Sequence, residues 1–169
     1  RPLITYAIDA LILAKIDPII VVTGYESRLL KKCLNNKELT FIHNPNFKDG
    51  MSTSLKVGIS ALPDHVEGAI ISLGDMPLIN SLQICSLIEK FNPQNNRTII
   101  IPTSKGKHGN PVLLGSVYFP DLLNLTGDTG AKKLISNFKK EVCEVECGSA
   151  VITDVDDPVQ LANLKIDKA

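Results

Sequence analysis

Apolar positions along this chain alternate between two rhythms. After Pro2, residues Leu3, Ile4, Ala7, Ile8, Leu11, Ile12 and Ala14 recur three and four apart, which predicts a helix with proline near its first turn. Residues 19–23 form a continuous, largely β-branched run closed by Gly24, the pattern of a strand buried on both faces. The span 26–34 reads as a helix, 39–43 as a second short strand and Asn44-Pro45-Asn46 as a turn. Helical spacing returns over 51–62 and stops at Pro63. The run 69–73 predicts another buried strand, ending at Gly74-Asp75-Met76-Pro77, and Ser81 is the expected cap of a helix carrying Ile84, Leu87, Ile88 and Phe91.

The second half repeats the scheme. The β-branched run 98–101 is expected to stop at Pro102, and 111–114 is a strand bounded by glycines. Spans 119–125 and 129–138 read as helices, 141–147 alternates as a half-exposed strand does, and a last short helix comes after Pro158. Strands alternating with helices at these lengths predict one α/β domain over residues 1–169, with a mostly parallel sheet covered on both faces. In such a sheet, ligands bind beyond the carboxyl ends of the strands, so the polar residues just after the strand runs carry the functional information.

Composition narrows the partners. Hydrophobic residues make up 44% and charged residues 21%, ordinary globular usage that excludes intrinsic disorder. Eighteen basic and eighteen acidic side chains give a net charge of zero, and with Phe 5, Tyr 3 and no Trp there is neither a field nor a stacking surface for nucleic acid. The longest apolar stretch, residues 3–16, is punctuated by Thr5, Tyr6, Asp9 and Lys15 and suits a buried helix better than a membrane span. Cys33, Cys85, Cys143 and Cys147 show neither a C-x-x-C pair nor zinc spacing and read as reduced thiols of a cytoplasmic protein. No basic leader with an apolar core and cleavage site appears, so secretion is not expected, and the opening at Arg1-Pro2 instead of methionine reads as a processed or incomplete chain.

Three places offer chemistry. Asp75 leaves a strand directly at the expected ligand edge, where Mg²⁺ takes one or two carboxylates plus phosphate oxygens; a turn-capping aspartate is the plainer reading. In Asp154-Val155-Asp156-Asp157-Pro158, alternation puts Asp154 and Asp156 on one side, while Asp157 before proline suits a helix N-cap, leaving Asp156 as the better ligand. The loops 44–54 and 127–133 each run into a predicted helix and offer N–H groups and hydroxyls, with Lys132 and Lys133 in the second; for either loop alone, simple capping accounts for the residues. Dinucleotide, P-loop, zincin and serine-nucleophile motifs are absent. His43, His65 and His108 are dispersed, and His108 is expected in an exposed loop whose lysines could still meet a phosphate.

The order of these pieces is more specific than any one of them. Val21-Val22-Thr23-Gly24-Tyr25, Asn44-Pro45, Gly50-Met51-Ser52-Thr53-Ser54-Leu55, Leu73-Gly74-Asp75-Met76-Pro77, Gly109-Asn110-Pro111-Val112-Leu113-Leu114, Gly127-Asp128-Thr129-Gly130-Ala131 and Asp154-Val155-Asp156-Asp157-Pro158 together resemble the MobA-like nucleotidyltransferase family over nearly the whole chain. Within it, the chain is most similar to the molybdenum cofactor cytidylyltransferase branch. The resemblance implies a Rossmann-like, three-layer α/β/α fold and transfer of a nucleotide from a triphosphate such as CTP to a phosphate acceptor such as molybdopterin, with release of pyrophosphate. It implies Mg²⁺ on Asp75 and Asp156, both catalytic. Asn44, Gly50, Ser52, Ser54 and Gly74 would lie near the nucleotide, and Asn110, Gly127, Asp128, Gly130 and Lys132 near the acceptor phosphate. A molybdoenzyme is the implied protein partner.

The family begins with a strand and a glycine-rich loop bearing Arg and Lys, and Arg1-Pro2-Leu3-Ile4 matches the segment just after that loop. It usually carries His where Asn110 stands and Arg where Lys132 stands; losing the bidentate guanidinium retunes phosphate recognition. A competing reading is a non-catalytic nucleotide- or cofactor-binding chaperone for a molybdoenzyme. A glycosyltransferase reading of Asp154-Val155-Asp156 as D-x-D ranks last.

Overall fold

The computed structural model describes residues 2–34 and 38–164. Its chain order is α1 (Ile4–Leu13), β1 (Ile20–Thr23), α2 (Ser27–Cys33), β2 (Thr40–His43), α3 (Met51–Ser60), β3 (Gly68–Ile71), α4 (Ser81–Lys90), β4 (Ile99–Ser104), β5 (Lys107–His108), β6 (Val112–Gly115), α5 (Phe119–Leu123), α6 (Ala131–Asn137), β7 (Val142–Glu146) and α7 (Pro158–Asn163). Strand β1 pairs with β2 in parallel, and a second sheet runs β3-β6-β4 with β7 and β5 both on β4. Strands β3, β4 and β7 share one direction, and β6 and the short β5 oppose it, giving a mixed sheet with mostly parallel strands.

Side-chain alternation builds three layers. Ile99 and Ile101 of β4, with Val112 and Leu114 of β6, face one cluster that holds Ile59 of α3, Leu122 of α5 and Leu134 and Ile135 of α6. Ile100 and Leu113 face the other way, onto Leu87 of α4. Helix α1 extends that second layer by packing on α4, and Ile8, Leu11, Val21 and Ile84 join there in a further cluster. Ile84, Leu87, Ile99, Ile100 and Leu114 are wholly buried, each contributing about 1.5–3 kcal/mol through removal from water.

Several boundaries depart from the sequence expectation. Strand β4 does not stop at Pro102 but continues through it to Ser104. That is tolerated because Pro102 falls between two partners on one edge, β6 at Ile99 and Ile100 and β5 at Thr103 and Ser104. His108 is exposed as expected, yet it sits in β5 and not in a plain loop. Helix α4 is capped by Asn80, not Ser81: the Asn80 side chain accepts from the N–H groups of Leu82 and Gln83, and the Gln83 side chain accepts from the Asn80 N–H. Asp157 does cap α7, accepting from the N–H groups of Val159 and Gln160.

Strand β3 is only half-buried throughout, although its run of Ala69, Ile70 and Ile71 reads as fully buried. The reason is an edge. Strand β1 is paired only to β2 and β3 only to β6, so each leaves one side unpaired among the described residues. Both open onto one cavity of about 850 Å³. Consecutive residues of each strand, 19–22 and 68–71, line it. A cavity meeting consecutive residues faces the hydrogen-bonding edge of a strand, because a sheet face would present every second one. Helices α1 and α3 close the cavity from the two layers, and Ile4, the first residue of α1, packs against Gly74.

Candidate active site

Register places the end of the sheet that matters. Ile71 pairs with Val112 across β3 and β6, so Gly74 and Asn110, which continue from those residues, emerge at the same end. This is the carboxyl end of β3, β4 and β7, where ligand binding is expected. Ser54, Gly74, Asn110, Gly130 and Lys132, five residues singled out from the sequence, border the 850 Å³ cavity together with Met51.

The remaining candidates join this rim through hydrogen bonds. Asn44 is 1% exposed, and its side-chain N–H groups donate to the hydroxyls of Thr53 (2.8 Å) and Ser54 (3.0 Å). Its side-chain oxygen accepts from the Asn46 N–H at 3.0 Å, closing the turn that ends β2. Ser52 is buried, and its hydroxyl donates to the carbonyl of Gly127 at 2.7 Å. The Met51 N–H donates to Asp128 Oδ1 at 3.2 Å. A side chain on Gly50 would meet the Gly127 backbone at 2.5 Å, so the two loops touch without room for even a methyl group. Two loops more than 70 residues apart in sequence are thus one structure.

A backbone hydrogen bond joins the two acidic segments. The Val155 N–H donates to the carbonyl of Asp75 at 2.9 Å, which sets Asp156 one residue from the strand exit that carries Asp75. Val155 is buried while Asp154 and Asp156 are exposed, as the alternation predicts. The segment leading there is anchored by the Asn110 N–H, which donates to the Val151 carbonyl at 2.8 Å. Oδ1 of Asp75 is buried with no hydrogen-bond partner among the described residues. An uncompensated buried carboxylate oxygen costs about 1–3 kcal/mol or more, so it is a feature in want of a cation. A hard divalent ion fits: it takes oxygen from one or two carboxylates and completes its shell with phosphate and water. No group of three or more His, Cys, Asp or Glu side chains suited to a metal occurs among the described residues, so an ion here would depend on its substrate for the other ligands.

The residue series at these loop ends, set on this sheet, matches a known family model. The MobA-like NTP transferase domain matches residues 1–142. The chain belongs to that family. A MobA-like domain is a nucleotidyltransferase, and a nucleoside triphosphate is its substrate. This MobA-like domain is 27% identical over 141 residues to the molybdenum cofactor cytidylyltransferase of Escherichia coli (strain K12), covering 83% of this chain and 70% of that protein. The fold matches Rv0371C of Mycobacterium tuberculosis H37Rv in complex with manganese, at 20% identity and a TM-score of 0.77, over 95% of this chain and 84% of the other. It also matches the 4-diphosphocytidyl-2C-methyl-D-erythritol synthase of Anaerococcus prevotii DSM 20548, at 14% identity and a TM-score of 0.77, over 96% of this chain and 86% of the other. Among the described residues of the MobA-like domain, no helix is long and apolar enough to cross a membrane.

Sequence reasoning overlooked Met51 at the cavity and a second hollow of about 360 Å³, lined by His108, Lys132, Ser136, Lys139 and Glu144. His108 Nε2 pairs there with Glu144 Oε1. Lys132 and Ser136, one turn apart on α6, were the available signal, with Lys139 just beyond the helix. All four cysteines are free thiols. Partial burial, and then the charge of Glu146, pushes the Cys147 thiol up.

Proposed function

We propose that this domain transfers a nucleotidyl group, from CTP foremost, to the phosphate of molybdopterin or the molybdenum cofactor and releases pyrophosphate. Asp75 carries the reading: a buried carboxylate oxygen without a partner among the described residues, one residue past Gly74 of the cavity lining, on a backbone bonded to the residue before Asp156. Asp75 and Asp156 would hold Mg²⁺, which when bound would supply charge neutralisation for the triphosphate. Asn44, Gly50, Ser52, Ser54 and Gly74 shape the nucleotide side, where the locked Asn44 side chain fixes the Ser54 hydroxyl. Asn110, Gly127, Asp128, Gly130 and Lys132 shape the acceptor side, with the Lys132 ammonium countering the acceptor's charge. An acceptor phosphate oxygen attacks the α-phosphorus as the bond to the pyrophosphate oxygen breaks, so the residues align the partners and neutralise charge.

The likeness to the molybdenum cofactor cytidylyltransferase of Escherichia coli supports the cytidyl and molybdenum cofactor parts of this reading. Free thiols support a reducing, cytoplasmic setting, and a molybdoenzyme is the recipient of the product. The cavity between β1 and β3 is the seat of the strand and glycine-rich loop that the family carries ahead of the segment matched by Arg1-Pro2-Leu3-Ile4. Two unpaired strand edges support this, since one extended segment of about six residues, roughly 20 Å long, would pair with both.

Thermal shift with CTP, GTP, ATP and UTP, each with and without Mg²⁺, tests the proposal. CTP with Mg²⁺ is expected to raise the Tm most. Asp75→Asn is expected to melt no lower than wild type without ligand, because the buried Oδ1 makes no hydrogen bond among the described residues for the change to lose, yet to lose the Mg²⁺-dependent shift and pyrophosphate release. An equal shift in Asp75→Asn, or no shift with any triphosphate, overturns the reading.

A further inference from the structure

The Ser52 hydroxyl and one carboxylate oxygen of Asp128 are committed to protein partners. Ser52, 1% exposed, gives its hydroxyl to Gly127, and its N–H points to the same carbonyl at 3.3 Å. Asp128 accepts from the Met51 N–H. Backbone approach reinforces both bonds: Gly50 abuts Gly127 and Asp128, and a side chain on Gly130 would meet the Met51 sulfur at 2.8 Å. On one side of this junction, Thr53 bonds to Asn44 and to the carbonyls of Asn46 and Gly50, tying Ser54 to the end of β2. On the other side, just past Gly130, the loop delivers Lys132 to the same cavity as Ser54.

We propose that Ser52 and Asp128 are positioning residues forming a latch, which fixes the loop bearing Lys132 to the first turn of α3 so that occupancy beside Ser54 is felt at Lys132. The latch itself rests on bonds within the chain; its role in coupling nucleotide and acceptor sides rests on the function proposed above. The physical basis is that two segments sharing several bonds and no slack order together, so a ligand that orders one reduces the cost of ordering the other. Neither side chain needs to touch the substrate.

Hydrogen–deuterium exchange tests this on the whole chain. Without ligand, Ser52→Ala and Asp128→Ala are expected to speed exchange over residues 126–133 by roughly two- to tenfold, the size of one lost hydrogen bond. Asp128→Asn, which keeps a side-chain oxygen for the Met51 N–H, is expected to restore the wild-type rate. With CTP and Mg²⁺ as the probe, wild type is expected to gain protection in both 44–54 and 126–133, and the two alanine variants in 44–54 alone. Unchanged ligand-free exchange in both alanine variants overturns the latch, as does Asp128→Asn behaving like Asp128→Ala. Protection of neither segment in wild type overturns the nucleotide reading instead, and the ligand-free comparison still decides the latch. Should Ser52→Ala fail to fold, Asp128 is exposed and its two variants settle the matter.

Discussion

Replacing Gly50 by alanine is the sharpest physical test of the loop junction. Gly50 has φ +107° and ψ 168°, a region populated essentially by glycine alone, and forcing an L side chain into it costs about 1–3 kcal/mol. The new methyl would lie 2.5 Å from the carbonyl carbon and oxygen of Gly127 and 2.6 Å from the Asp128 nitrogen, and backbone atoms cannot swing away as a side chain would. Overpacking of this kind adds about 1–3 kcal/mol. The sum, near ~4 kcal/mol, is a large share of the ~5–15 kcal/mol that holds a domain folded. It corresponds to a Tm lower by roughly 8–16 °C for a chain of this length. Gly127→Ala is the internal comparison. Its φ is +69°, but nothing lies within 4 Å of an added methyl, so only the backbone term applies, about 1–2 kcal/mol. Thermal melts of the two variants should therefore differ by several degrees. Equal losses, or a Gly50→Ala melt within about 2 °C of wild type, refute the close-approach argument.

The remaining predictions are local. Asn80→Ala should lower the Tm by roughly 2–4 °C through loss of a capping box worth about 1 kcal/mol, whereas Ser81→Ala should stay within about 1–2 °C of wild type; a reversed order means that Asn80 is not the cap. Iodoacetamide at pH 8, followed by peptide mass spectrometry, should modify exposed Cys33 well before Cys147, whose raised pKa leaves less thiolate. The gap should narrow as the pH rises, and equal rates at pH 8 contradict the assignment.

The alternation of runs was enough to read the α/β class, because β4 and β6 are buried on both faces and so advertise themselves as unbroken apolar stretches. Asp157 as a cap was equally readable, since Asp before Pro at a helix start has few other uses. Asn80 was hidden behind Ser81 because serine and asparagine are near-equal caps and only the Gln83 return bond separates them. The passage of β4 through Pro102 was hidden for a different reason: whether a strand tolerates proline depends on which neighbour lies beside that one residue, and pairing is a tertiary fact. For the site, chain order identified the loops, but not that Ser52 and Asp128 turn toward each other's segments. Nothing local in either loop encodes the other.

The unpaired edges of β1 and β3 have a practical corollary for handling these residues. Ile19, Ile20, Val21, Ala69, Ile70 and Ile71 beside an open backbone edge are a template on which a neighbouring molecule can add a strand. A formal charge of zero near neutral pH supplies no long-range repulsion to keep copies apart. The strand that the family carries ahead of α1 would cover this seam, and in doing so would serve solubility as much as it completes the sheet.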